Sequence, residues 1–235
     1  MSTSPEITKE YYDTSYYKKH SARLNPGNRF TKIKLCRVMS LLQPQKNESI
    51  VDLGSGVGTI MVALSKLGVK ITGIDYSKHS LAIAKKYFHE QFPEKQFKGI
   101  CCDSRNIGLK SNEFNGVAAV DFTEHLDDAF LIATVSEVFR ILNKGGKFVI
   151  YTPNYTHLFE RLKKHNIILK EDKSHIGLRS MNQYIAILKN CGFLIKEAYF
   201  EPTHIPIFSL IEKILISIPG LGELAKRRIC ICAVK

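Results

Sequence analysis

The sequence predicts an α/β fold: a doubly wound, seven-stranded sheet, mostly parallel, with an antiparallel strand at its C-terminal end. Two observations predict it. After residue 48, short apolar runs alternate with stretches of helical periodicity, the pattern of parallel strands joined by crossover helices. The stretch "VDLGSGVGTI", residues 51 to 60, then sets three glycines on alternate positions between an apolar run and a helical one. Such a strand-to-helix turn lets backbone N–H groups approach a nucleotide-like ligand, because no Cβ stands in the way.

Residues 1–48 are expected to form an N-terminal helical arm or lid. Tyr11, Tyr12, Tyr16, Tyr17, His20 and Arg23 lie on an otherwise polar segment that either packs on the domain or closes over a cofactor, and a helical stretch follows that ends near Leu42. The main domain is expected over 49–235, with strands at 49–53, 70–74, 97–102, 116–121, 147–152, 193–200 and 228–234. Helices are expected at about 58–67, 78–91, 127–142 and 180–190. Gly68 closes the first, and Ser180 with Gln183 three residues on opens the last with the spacing of a capping box. "FLIKEAYF" and "RICICAVK" alternate in polarity and are expected to pair as an antiparallel edge. The stretches 153–180 and 201–226 read as insertions.

Bulk composition narrows the classes. At 235 residues and 44% hydrophobic content, one α/β domain with a sizeable core is expected. The N-terminal residues carry no apolar signal region and no long uncharged apolar run occurs, so a cytoplasmic protein is expected. Six cysteines without C-x-x-C spacing read as reduced, buried thiols. A formal charge of +12 favours acidic partners, but the basic residues are scattered: "KRR" at Lys226 to Arg228 and "KK" pairs at 18, 85 and 163 make no single block. Nucleic acid is therefore the disfavoured partner.

The glycines and two acids narrow the ligand. From Gly54 the chain reads G-S-G-V-G-T, with Thr59 where a dinucleotide fingerprint has its third glycine, which argues against a dehydrogenase. Asp52, two residues before Gly54, would repel a pyrophosphate and suits a cofactor that bears a cation there; its other reading is a helix cap. Asp75 ends "KITGIDYS", 21 residues beyond Gly54, where a carboxylate accepts both hydrogens of a ribose diol; its other reading is a turn shared with Ser77. The ligand thus expected has a ribose and a positive group, without phosphates.

Six motifs in order, "VDLGSGVGT", "ITGIDYS", "CCDS", "VAAVDFTEHL", "RILNKGGKFVIYTPN" and "SHIGLRSMNQYIAILKNCGF", make residues 48–200 resemble the class I S-adenosylmethionine (SAM)-dependent methyltransferases, with their Rossmann-like sheet. Within that superfamily the chain looks most like the small-molecule O-methyltransferases of ubiquinone biosynthesis. The resemblance implies SAM as cofactor. Asp52, Gly54, Ser55, Gly56 and Gly58 would cradle its amino-acid part, Asp75 with Tyr76 its ribose, and Asp103 with Ser104 its adenine, Asp121 also lining the site. "RLNPGNRF" is similar to the Asn-Pro-x-Arg element of those enzymes, one residue longer, which offers Arg29 as a clamp for the SAM carboxylate. Asn115 stands where many relatives have aspartate and is read as structural.

"DFTEHL" leaves the fourth strand, where ligands of parallel sheets bind, so Glu124 and His125 are the candidate chemistry and His125 the general base. The plant small-RNA 2′-O-methyltransferases show Glu-x-x-Glu-His and a later histidine that together hold a divalent ion; Asp121, Glu124, His125 and His175 resemble that set, although a metal-free site is the favoured reading. The expected function is methyl transfer to a hydroxyl of a small, lipid-like, quinone-like or sugar acceptor. An RNA 2′-O-methyltransferase and a non-catalytic SAM-binding module remain as alternatives. Finally, Ile207, Leu210, Ile211, Ile214, Leu215 and Ile218 share one helical face, so the 205–228 region either covers the acceptor pocket, rests on an anionic membrane or forms a dimer contact.

Overall fold

The computed structural model describes residues 28–158, 160, 162, 174–201, 212, 214, 218 and 222–235. The helices that position the site are α1 (Arg29–Leu42), α2 (Thr59–Lys66), α3 (Lys78–Gln91), α4 (Asp128–Ile141) and α5 (Met181–Asn190). Seven strands are β1 (Ser49–Leu53), β2 (Lys70–Asp75), β3 (Gly99–Cys101), β4 (Phe114–Val120), β5 (Leu142–Pro153), β6 (Leu194–Glu201) and β7 (Arg228–Val234). Helix starts follow their caps. Asn28, Ser77 and Asp127 accept backbone N–H bonds at the openings of α1, α3 and α4. Ser180 and Gln183 form the expected reciprocal box at α5.

The strands form one sheet in the order β3-β2-β1-β4-β5-β7-β6. β1 to β5 pair in parallel, and β7 runs antiparallel to both β5 and β6. The two C-terminal strands do pair, but β7 lies inside the sheet and only β6 forms the edge. Alternation along the interior strands builds two cores. Val117 and Ala119, Phe148 and Ile150, and Ile229 and Ile231 face α4 and α5 residues Leu131, Val135, Tyr184 and Leu188. Ala118 and Val120, Val149 and Tyr151, and Cys230 and Cys232 face Val38, Leu41, Met61, Leu64 and Phe88 of the other three helices. Strands covered on both faces need apolar residues at every position, which is why residues 117–120 of β4, 148–151 of β5 and 229–234 of β7 carry no charge; the alternation expected of β7 is therefore absent.

Two boundaries differ from expectation. β5 starts at Leu142 rather than 147, because Leu142 already pairs with Phe114 before a register shift opposite Gly116. β3 shrinks to three residues at the sheet edge. The cysteines also divide: all six are free, but only Cys230 and Cys232 are buried, while Cys36 and Cys101 are exposed on α1 and on the edge strand β3.

The aromatic arm, from Tyr11 to Arg23, lies outside the described residues. Of the helix expected over 207–218, three residues are described. Glu212 is buried against His157, while Ile214 and Ile218 are exposed, so the acid rather than these isoleucines faces the protein. Among the described residues no helix is long and apolar enough to cross a membrane.

Candidate functional site

The glycine turn sits between β1 and α2. Gly54, Gly56 and Gly58 all take positive φ, at 72°, 50° and 82°. A Cβ on Gly54 would stand 2.3 Å from Cδ2 of Phe122, whereas one on Gly56 would meet nothing within 4 Å. Gly54 is therefore required by close packing, and Gly56 opens onto free space at the mouth of the turn. The Gly54 and Ser55 N–H groups both donate to the Ile74 carbonyl at 2.9 Å, which ties the turn to β2.

Asp75, the last residue of β2, accepts from Gly56 N–H at 2.8 Å and from Ser77 N–H at 2.9 Å, so the turn with Ser77 is present and the carboxylate also braces the glycine loop. Burial pushes its pKa up against those bonds. Asp52 occupies a core-facing position of β1 and is 2% exposed. Burial first, and the charge of Asp75 second, push its carboxyl up to about 7, opposed by Lys34 and by a bond from the Met61 amide. One Asp52 oxygen, Oδ2, and the Ser55 hydroxyl are buried without a hydrogen-bond partner among the described residues. A buried acid with an unsatisfied oxygen beside an open glycine turn fits a ligand that brings a cation. The donor set therefore suits the sulfonium-bearing amino-acid cofactor expected from the sequence.

Asp103 and Ser104 follow β3. Asp103 is held by Arg105 through Nε and Nη2, at 3.1 and 2.7 Å to Oδ2, and the Arg105 guanidinium lies 3.6 Å from the Phe130 ring centroid. Ser104 bonds Thr134 across 2.8 Å. Tyr76 presents its carbonyl to the Cys101 thiol. Asn115 accepts from Ser49 N–H at 2.9 Å, a structural role as expected.

Arg29 opens α1 and is exposed. From α1, the charge of Lys34 acts on Asp52, and its Nζ donates to Asp121 at 2.9 Å. Sequence reasoning missed it, although it shares the buried helical face of Thr31, Val38 and Leu41. Asp121, at φ 51°, is also bonded by Arg228 from the start of β7. Asp121 is thus held between two cations, outside the cluster that the metal-binding alternative would have had it share.

That cluster is Glu124, His125 and His175, whose ligand atoms lie within 4.8 Å of one another. A turn of 3-10 helix, Thr123–His125, delivers the first two just past β4. Glu124 is 1% exposed, accepts from the Thr152 hydroxyl at 3.0 Å, and has its pKa raised by burial against the lowering effect of His125. His125 Nδ1 lies 2.9 Å from the Ser174 carbonyl. A carbonyl only accepts, so Nδ1 carries the proton and Nε2 of the neutral ring is the basic nitrogen. The His125 charge also acts on Asp75, which joins this cluster to the glycine-turn side of the site.

Residues 28–198 match the family model described as a methyltransferase domain. Among curated relatives, the sterol 4-C-methyltransferase strm-1 of Caenorhabditis elegans is 24% identical over 55% of this chain and 38% of its own length. The ubiquinone biosynthesis O-methyltransferase of Nitrosococcus oceani is 30% identical over 46% of this chain and 44% of its own. The chain spans only 38% to 53% of the length of the first such relatives. Among solved structures, a SAM-dependent methyltransferase from Archaeoglobus fulgidus superposes with a TM-score of 0.70 at 18% identity, over 95% of this chain and 100% of that one. Phosphoethanolamine N-methyltransferase 2 of Haemonchus contortus, in complex with S-adenosyl-L-methionine, gives 0.71 at 21% identity over 98% and 60%. These likenesses share the fold, and because the family match takes in most of its length, the chain belongs to the methyltransferase-domain family.

Proposed function

We propose that this chain is a SAM-dependent methyltransferase that moves a methyl group to a hydroxyl of a small molecule. One observation carries the reading: the Nδ1–H of His125 is spent on the Ser174 carbonyl, which leaves Nε2 as a base at the end of β4, at the same carboxyl end of the sheet as Asp52, whose Oδ2 has no partner among the described residues. When bound, SAM supplies an electrophilic methyl on a sulfonium. Asp52 would hold the ammonium of its amino-acid part, Asp75 its ribose diol, and the open face of Gly56 would leave room for its approach to the backbone. The role of His125 Nε2 would be to take the proton of the acceptor hydroxyl, which makes that oxygen the nucleophile. Glu124, buried beside it, favours the imidazolium that results. Relatives named for sterol methylation and ubiquinone biosynthesis support a lipid-like or quinone-like acceptor.

Labelled SAM offered with a catechol, a prenylated hydroquinone, a sugar and bulk small RNA tests the reading. Transfer to a phenol is expected, with His125→Ala lowering turnover by roughly 10² to 10⁴ at unchanged cofactor affinity. Labelling of RNA alone overturns it, and so does equal loss of affinity and turnover in the variant.

A second reading is favoured by the three converging donors. Glu124, His125 and His175 suit a divalent ion, and the bond of His125 to a backbone carbonyl is the support a ligating imidazole receives. Such an ion would lower the pKa of the acceptor hydroxyl, with these three residues as its protein ligands.

A further inference from the structure

Arg179 is 3% exposed, an unusual place for a guanidinium whose acidic partner, Asp128, has an 82% exposed side chain. Besides the Asp128 carboxylate, three carbonyls from two separate stretches of backbone accept from it. Nη1 donates to the Gly177 carbonyl at 2.6 Å and to Thr123 at 3.4 Å, and Nη2 donates to Leu126 at 2.8 Å. Nε donates to Asp128 at 2.8 Å. Thr123 and Leu126 bracket the turn that carries Glu124 and His125, while Gly177 lies two residues past His175. The same two stretches also meet through Gly177 N–H, which donates to the Glu124 carbonyl at 2.9 Å. They approach so closely that a Cβ on Gly177 would stand 1.8 Å from the Leu126 carbonyl oxygen.

We propose that Arg179 is the positioning residue of this site: its planar fork sets the spacing between the turn bearing Glu124 and His125 and the segment bearing His175. This rests on the reading of those three residues as the reactive end of the site. The chemistry of the fork explains the choice of residue. Three carbonyls and a carboxylate converge on one side chain, and only arginine offers enough N–H groups in a fixed fork; a lysine ammonium reaches one or two of them and is more strongly hydrated. The charge is buried because the carbonyl dipoles solvate it, which gives the two segments a single register. Arg179 also precedes Ser180, so α5 begins where the fork ends, and its own carbonyl accepts from Tyr155 N–H at 3.3 Å.

The test uses the full chain saturated with S-adenosylhomocysteine and labelled with 13C at histidine. In the wild type the His125 and His175 rings, 5.1 Å apart between centroids, give a ring-to-ring nuclear Overhauser effect. Arg179→Lys is expected to remain folded, bind S-adenosylhomocysteine as before and lose that effect; Arg179→Ala is expected to regain it when ethylguanidinium is added. Transfer to the catechol probe falls by about 10- to 100-fold in Arg179→Lys, the usual cost of losing a residue that orients a reactive side chain. A ring-to-ring signal that persists in Arg179→Lys overturns the proposal, as does a variant that loses the signal and cofactor affinity together with no recovery in ethylguanidinium. A lost signal with undiminished transfer keeps Arg179 as the spacer of the two segments and sinks instead the reading of the histidines as the reactive end.

Discussion

Asp52, one residue before the end of β1, and Asp75, the last of β2, lie on neighbouring parallel strands, and burial first, with the charge of Asp75 second, pushes the Asp52 carboxyl up to about 7. The folded protein therefore keeps a proton on Asp52 that the unfolded chain, with an ordinary carboxyl at 3.8, has released. On that account the group's contribution to stability falls as pH rises from about 4 to about 7. Cofactor binding has the opposite sign, because an ammonium prefers the ionised carboxylate. Calorimetry with S-adenosylhomocysteine should show affinity rising between about pH 6 and pH 7.5. Asp52→Asn should flatten that rise and lower affinity by about 1.5 to 3 kcal/mol, the range for a lost bond to a charged group. A wild-type affinity that does not vary over this interval removes Asp52 from the ammonium site.

Asp75→Ala takes away the acceptor of the Gly56 and Ser77 N–H groups and, on the proposed reading, that of the ribose. SAM binding should weaken by at least about 1.5 to 3 kcal/mol. Titration of a variant shown to be folded by circular dichroism decides the matter: unchanged affinity means that the ribose lies elsewhere.

Gly54 and Gly56 should respond differently to alanine. Gly54→Ala drives a Cβ into Phe122, so thermal stability of the free protein should drop by about 1 to 3 kcal/mol. Gly56→Ala meets no neighbour and carries only the strain of its positive φ, about 1 to 2 kcal/mol, but on the proposed reading its methyl takes up room the cofactor needs. The ratio of binding loss to stability loss should thus be larger for Gly56→Ala. Equal ratios would mean that the open face of Gly56 is not where the cofactor approaches.

For the divalent ion, Mn²⁺ added to the 13C-histidine protein should broaden His125 and His175 before the other six histidines. His175→Ala should weaken Mn²⁺ by at least about tenfold, and EDTA should abolish methyl transfer until Mg²⁺ or Mn²⁺ returns. Uniform broadening, or transfer indifferent to EDTA, leaves His125 as a metal-free base.

Legibility tracked the distance over which a residue's role is decided. α3 was readable to the residue because Ser77 caps it locally and its apolar positions recur at helical spacing. The Glu124–His125 pair was singled out because it leaves a strand end and His175 by resemblance to a metal-binding pattern, and the fold brings the three side chains together. Asp121 was not, since its fate depends on Lys34, 87 positions before it, and Arg228, 107 after it. Arg179 was equally hidden: an arginine before a helix cap looks like a surface residue until the fold brings three carbonyls to it. Glu212 misled for the same reason, as its partner His157 lies 55 positions away.

The strand order at the C-terminal edge sets synthesis against assembly. β6 attaches to the sheet only through β7, yet it leaves the ribosome first. With 26 residues between the end of β6 and the start of β7, translation at 5–20 residues per second keeps β6 waiting for roughly 1 to 5 s. During that interval β5 presents an open hydrogen-bonding edge to whatever strand is near, so a nascent chain stalled there is a substrate for chaperones and a seed for aggregation. Codon choice over this short stretch, which no side chain of the finished protein records, thus bears directly on the yield of folded enzyme.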